Sequence, residues 1–361
     1  MKSFLATTAL VLVSILFTLG AFDLTVYLSP RHFLPGPLRN LLLLMEGDTY
    51  YVKDPPIGNM IRPQTDYVFP SEEFRFRIQT RLNFPSAGFR GGTLGRPAWG
   101  AAFGDSFTFG AGVDQEATWV AQLSRLTNRE IINFGVPGHG PHQYTRIFQK
   151  YGVRLRPKVV FYALFSNDLR DGLRFEAPPA NRKQRMTAKR FLTRYSASYN
   201  IFNNVSRSLK KSRTNDQRNT IGLKLLDRRL RDPYAIADRN FASAWAGIAR
   251  QIEDAYQESK RIDATFILLY FPQKEEVYWE LAKDRIKSID IFKERIDRLN
   301  KTIAAFCVTR DFLCLDLTPT LKARGLRGET FYFPVDIHWN EKGNNLVAQV
   351  IYRFLLEKKL I

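Results

Sequence analysis

The chain has 361 residues, 45% of them hydrophobic, enough for one large domain or two ordinary ones with a substantial core. Its 54 Lys and Arg stand against 35 Asp and Glu, a formal charge of +19 that favours anionic partners: lipid headgroups, acidic polysaccharide or nucleic acid. No nucleic-acid-binding motif accompanies that charge, and the gap between the two cysteines does not fit a zinc finger, so nucleic acid is set aside.

The first residues, MKSFLATTALVLVSILFTLGAF, give one lysine and then an uncharged, mostly apolar run from Ser3 to Phe22. That run is about long enough to cross a bilayer as a helix. It is long for the core of a cleaved signal peptide, and Gly20 and Ala21 make a weak cleavage site. Residues 1–28 are therefore read as an uncleaved transmembrane signal anchor in preference to a cleaved signal. Arg31 and Arg39 blur the charge rule for orientation, and the expectation is a membrane-anchored domain outside the cytoplasm.

Residues 29–96 read as an irregular N-terminal extension, interrupted by Pro30, Pro35, Pro37, Pro55, Pro56, Pro63, Pro70 and Pro85. Within it, RNLLLLMEG could be a short helix at the membrane surface or one packed on the domain. YVFPSEEFRFRIQTRLNFPSAGFRG has the short alternating patches of strands.

An alternating rhythm occupies the domain expected over 97–361. AWGAAFGDS, EIINFG, KVVFYALFSND, ATFILLYF and DFLCLDL read as strands. Between and after them, EATWVAQLSRLTN, HQYTRIFQKYGVRL, NFASAWAGIARQIEDAYQESKR, IDIFKERIDRLNKTIAAFCV and EKGNNLVAQVIYRFLLEKK read as helices. Five strands interleaved with helices predict an α/β fold with a parallel sheet covered on both faces, where ligands gather beyond the carboxyl ends of the strands. Cys307 and Cys314 could pair in an oxidising compartment, but the reading favours two separate buried thiols.

The rhythm breaks over 173–232, a basic insertion with sixteen Lys and Arg against four Asp and Glu. KRFLTRYSASYNIF interleaves basic and aromatic residues there. It is either a surface for anionic lipid or polysaccharide, or a helical insertion whose charges face water.

Ser106 follows the first core strand in FGDSFTFG, where a serine is either a turn former or a nucleophile raised to the sheet rim. A serine nucleophile needs a base. Of the four histidines, His32 lies beside the anchor, His139 and His142 sit in GVPGHGPHQY, and His338 sits in FPVDIHWN. Asp336 could orient His338 by accepting from one ring nitrogen, while Asp336 or Asn340 could equally cap the following helix. Gly138 in NFGVPG and Asn167 in FSND end the next two strands, where a backbone N–H and a side-chain amide could stabilise an oxyanion.

These four blocks, in this order, resemble the SGNH or GDSL hydrolases, from about Ala98 to the C-terminus outside the basic insertion. The resemblance implies a three-layer, flavodoxin-like fold with a five-stranded parallel sheet; no carboxylate or cysteine near His139 and His142 completes a metal site, so no metal or cofactor is expected. It implies Ser106 as nucleophile, His338 as general base and acid, and Asp336 as its orienting carboxylate. The Ser106 N–H, the Gly138 N–H and the Asn167 amide would form the oxyanion hole. Many members carry Asp three residues before the histidine; here the block is Asp336-x-His338-Trp339. That shorter form is similar to the subset involved in O-acetylation of exported polysaccharides, such as the alginate acetylation proteins.

The leading expectation is a serine esterase acting on O-acyl, chiefly O-acetyl, groups of a carbohydrate or similar small ester. A membrane-anchored polysaccharide O-acetyltransferase with the same triad and a non-catalytic binding module on an esterase-like scaffold are the alternatives. His139, His142 and Trp339 are read as pocket-lining, with packing as the other reading for the two histidines, and Arg90 as either lining the pocket or making a structural salt bridge. Asp105 and Asp168 are read as loop braces.

Overall fold

The computed structural model describes residues 2–29, 50–71, 73–92, 98–169, 191–192, 195–203, 206, 223, 238–282 and 295–361. The helix expected at RNLLLLMEG and most of the basic insertion lie outside those residues. The chain divides into two units: Met1–Thr49 with Asn181–Asp216, and Tyr50–Ala180 with Gln217–Ile361.

The smaller unit is built on helix α1 (Lys2–Leu28). Its segment Thr7–Leu28 has a mean hydropathy of 2.2 and is long enough to cross a membrane. The hydroxyls of Ser14, Thr18 and Thr25 each donate to the carbonyl four residues earlier at 2.8–2.9 Å, so the helix satisfies them itself. Asp23 accepts from the backbone N–H of Ser198 at 2.7 Å and from its hydroxyl at 3.1 Å, tying α1 to the described part of the insertion.

In the larger unit, the segment expected to be irregular contains three antiparallel hairpins. They pair β1 (Tyr51–Asp54) with β2 (Gly58–Ile61), β3 (Asp66–Pro70) with β4 (Arg75–Gln79), and β5 (Leu82–Phe84) with β6 (Ala87–Phe89). The prolines exclude long elements but not strands this short. Met60, Leu82, Ala87 and Phe89 pack in one cluster with Phe103, Phe134 and Tyr151, so the first and third hairpins share the core of the sheet, whereas Phe76 and Ile78 of the second pack with Ile61 and Phe109.

That sheet is parallel, in the order β11-β10-β9-β7-β8. Its strands are β7 (Gly100–Phe103), β8 (Ile131–Asn133), β9 (Val159–Phe165), β10 (Thr265–Phe271) and β11 (Leu313–Asp316). The order is flavodoxin-like, with the topological switch beside β7. The central β9, VVFYALF, is buried at every position, as a strand covered on both faces requires. The helices are α2 (Ser106–Phe109), α3 (Trp119–Thr127), α4 (Pro141–Ile147), α5 (Asp238–Arg261), α6 (Lys274–Ala282), α7 (Arg298–Val308), α8 (Thr318–Gly325) and α9 (Glu341–Glu357). Alternate strand residues meet different helices: Phe161 and Leu269 pack with α3, α6, α8 and α9, whereas Tyr162 and Leu268 pack with α4, α5 and α7.

Two helices had no counterpart among the expected elements, and two local expectations need correction. Helices α6 and α8 lack a clear apolar stripe; their sequence signals are Glu275 and Glu276 in the first turn of α6 and the early proline of α8. The helix expected over 142–155 stops at Ile147 and continues as a π turn, Phe148–Gly152, and a 3-10 turn, Val153–Leu155. Gly152 there packs so tightly that a Cβ would lie 2.6 Å from the Phe103 ring. Finally, Cys307 at the end of α7 and Cys314 in β11 form a disulfide, not two separate thiols. The tight return from helix to strand brings their Cα atoms to 6.2 Å, within bridging range.

Candidate active site

The site starts where β7 stops. Gly104 allows an abrupt turn, because a Cβ there would lie 2.2 Å from the Thr108 hydroxyl. Asp105 then caps α2, its carboxylate accepting from the Phe107 N–H at 2.8 Å. Burial pushes the Asp105 carboxyl up, against the Phe107 amide, His338 and Asn167, which favour its charge. Ser106 is the first residue of α2, a position whose N–H has no acceptor within the helix.

The loop after β8 is built onto this turn. Phe134 N–H donates to Ala102 O at 2.8 Å and Val136 N–H to Gly104 O at 3.1 Å, extending the pairing to β7. The Asn133 side chain donates to Thr108 O and accepts from Gly135 N–H. Gly135 fits against the α2 backbone, since a Cβ would sit 2.2 Å from Phe109 N. Gly138 follows at φ 77°, a left-handed conformation suited to glycine. After β9, the Asn167 amide donates to Asp105 at 3.4 Å. Asp168 braces the same loop, accepting from Phe165 N–H and the Tyr144 hydroxyl, both at 2.9 Å.

Residues 331–340 supply the opposite wall. The chain doubles back through a bridge between Tyr332 and Trp339, with Phe333 N–H on His338 O and Asn340 N–H on Phe331 O. Trp339 is buried against Phe107 and Phe271, at ring distances of 4.9 and 4.7 Å, and Asn340 caps α9. Between those fixed points, His338 Nε2 lies 2.7 Å from Ser106 Oγ and its Nδ1 lies 2.5 Å from Asp336 Oδ1. A carboxylate can only accept, so Nδ1 carries the proton and Nε2 is left to accept from the serine. Burial acts against ionised Asp336, but the hydrogen bonds from His338, with the charges of His338 and Lys274, hold its carboxyl below the usual range. Asp336 and Asn340 thus divide the two roles open to them in the sequence.

The remaining candidates lie elsewhere in the packing. Arg90 is fully buried, and among the described residues its hydrogen bonds go to the carbonyls of Arg77, Phe109, Gly110 and Val113 and none to a carboxylate. Burial pulls its guanidinium down to about 9. His139 is also buried, its Nε2 2.7 Å from Asn59 O, and burial lowers it to about 4, which keeps it neutral. Trp339 is core, not pocket lining. His142 is half-buried at the start of α4, lowered by burial and by Arg146. Among the described residues no cluster of three His, Cys, Asp or Glu could hold a metal ion. Two side chains the motifs did not flag touch the His338 loop: Glu73 accepts from Val335 and Asp336, and Lys274 donates to Phe333 O.

Residues 102–346 match the GDSL-like Lipase/Acylhydrolase family. No match was found among curated proteins. Similar solved structures include a lipolytic protein of the G-D-S-L family from Desulfitobacterium hafniense, at 14% identity and a TM-score of 0.37, over 70% of this chain and 97% of that one. The acetyl xylan esterase AlAXEase shares 13% identity with a TM-score of 0.36, over 71% of this chain and 98% of that one. A carbohydrate esterase family 2 enzyme from Corynascus thermopiles (Myceliophthora fergusii) shares 12% identity with a TM-score of 0.35, over 77% and 71%. With its parallel sheet, its serine at the end of β7 and a match over more than half its length, the chain belongs to the GDSL-like lipase/acylhydrolase family and is an ester hydrolase of the SGNH type.

Proposed function

We propose that Ser106, His338 and Asp336 are the catalytic triad of an esterase that removes O-acetyl groups from a carbohydrate. The observation that carries this reading is the unbroken path from Ser106 Oγ to His338 Nε2 at 2.7 Å and from Nδ1 to Asp336 at 2.5 Å. His338 takes the serine proton as Oγ attacks the acyl carbonyl, and Asp336 stabilises the imidazolium. The oxyanion is held by the N–H groups of Ser106 and Gly138 and by the Asn167 amide. His338 then protonates the departing alcohol, and water drawn to the same nitrogen hydrolyses the acyl-enzyme. The test is labelling with a fluorophosphonate probe and mapping of the modified peptide. Labelling at Ser106 that disappears in His338→Ala is expected; a folded protein labelled elsewhere, or not at all, would overturn the assignment.

The short Asp336-x-His338-Trp339 block favours a second reading, transfer of the acetyl group to a sugar hydroxyl. Both reactions share the acyl-enzyme, so acetate release compared with acetyl transfer onto added glycan separates them.

The N-terminal helix is proposed as an uncleaved anchor that holds the domain outside the cytoplasm. The Cys307–Cys314 bridge supports an oxidising compartment. The described part of the basic insertion is proposed as a second contact with anionic lipid: Phe191, Leu192, Tyr195 and Phe202 are exposed, on a segment bound to Asp23 of α1. Protein lacking residues 1–28 should still sediment with anionic vesicles and be released by salt. Failure to sediment would remove the second contact.

A further inference from the structure

The β3–β4 hairpin carries a carboxylate into the loop that bears Asp336 and His338. Glu73 stands in the connection between the two strands. Its Oε1 accepts from Val335 N–H at 2.6 Å and its Oε2 from Asp336 N–H at 2.7 Å. The next residue, Phe74, lies with its ring 4.7 Å from Phe333. Phe333 is held further by Lys274 Nζ on its carbonyl, and its ring fills the space left by Gly112, where a Cβ would lie 2.4 Å away.

Two consecutive N–H groups meet the two oxygens of one carboxylate only when the backbone is turned to aim both the same way. Charge-assisted bonds of this kind are strong and directional. The residue so held is Asp336, whose carboxylate must stay on His338 Nδ1. Glu73 lies 262 and 263 positions from its two donors, so the grip comes from a distant part of the chain.

We propose that Glu73 is a positioning residue for catalysis, acting through the backbone of Asp336 to keep the carboxylate on His338. This rests on the triad reading above. Glutamine in its place has one acceptor and one donor, so it can satisfy one N–H and opposes the other.

The experiment uses full-length protein in detergent, with p-nitrophenyl acetate as substrate and rates normalised to fluorophosphonate-labelled sites. In Glu73→Gln, kcat should fall by roughly 10- to 100-fold with little change in KM, as expected of a displaced catalytic group. The low-field proton resonance of the His338 Nδ1–H, identified by its absence in His338→Ala, should shift or vanish. An unchanged kcat and resonance would overturn the proposal, as would a change confined to KM. Glu73→Asp, which keeps the charge but shortens the reach, should lower kcat in the same way. Loss of folding in both variants would overturn the positioning role in favour of a structural one. Absence of Ser106 labelling in the wild type would instead defeat the triad reading, so the two failures are distinguishable.

Discussion

The two walls of the site are held by different means. The Ser106 wall is built from close neighbours in the sheet: β7, the loop after β8, Gly104, Gly135 and the Asp105 cap, locked by backbone hydrogen bonds, close packing and a side-chain cap. The His338 wall is a loop between Tyr332 and Asn340, gripped by side chains from distant segments: Glu73, Lys274 and the stack on Trp339. The serine is thus placed by steric necessity, and the histidine by polar contacts that single substitutions can remove. Substitutions of the residues that support the first wall should act on stability, and those of the residues that support the second on rate.

The largest expected effect joins the walls. His338→Ala removes the group that bridges Ser106 to Asp336 and should lower kcat by roughly 10⁴- to 10⁶-fold, with melting little changed. Steady-state kinetics checks this, and a variant within tenfold of the wild type would mean that another base serves Ser106.

Asn167→Ala comes next. Its amide reaches Asp105 and, in the proposed reaction, the developing oxyanion. Loss of such a donor costs about 3–4 kcal/mol of transition-state stabilisation, or roughly 10²- to 10³-fold in kcat. A loss expressed only in KM would place Asn167 in substrate binding instead.

Gly135→Ala tests the steric wall. The new Cβ would lie 2.2 Å from Phe109 N, a backbone atom that cannot swing away. Destabilisation of about 3 kcal/mol is expected, the upper end for overpacking, and denaturant melts measure it. A neutral result would show that the two loops are less tightly joined than the contact implies.

This contrast also explains what could be read in the sequence. Glycine, a capping aspartate and an apolar strand are local signals, so FGDS and NFGVPG identified the Ser106 wall from short stretches. His338 and Asp336 were legible because they share one short block. Glu73 was not: nothing within a few residues of it reveals that its partners lie at Val335 and Asp336. Arg90 misled for the same reason, since a lone arginine before a strand says nothing of the four carbonyls that hold it. The disulfide was misjudged because pairing depends on how closely β11 returns beside α7, which spacing alone does not fix.

The smallest effect concerns the base of the His338 wall. Glu276 is buried beneath the Gln273–Lys274 turn, accepting from the Tyr270 hydroxyl and Gln273 N–H, both at 2.7 Å. Burial raises its carboxyl from 4.5 to about 8, overcoming those two donors, with Asp316 and Glu275 adding to the rise. Between these values the folded protein keeps a proton that the unfolded chain has lost, so this group makes stability fall as pH rises through that window. Glu276→Gln should remove the slope: wild type and variant should differ least near pH 5, and the variant should melt higher by pH 8. Parallel melting curves across that range would mean that Glu276 ionises in the folded protein as it does in the unfolded one.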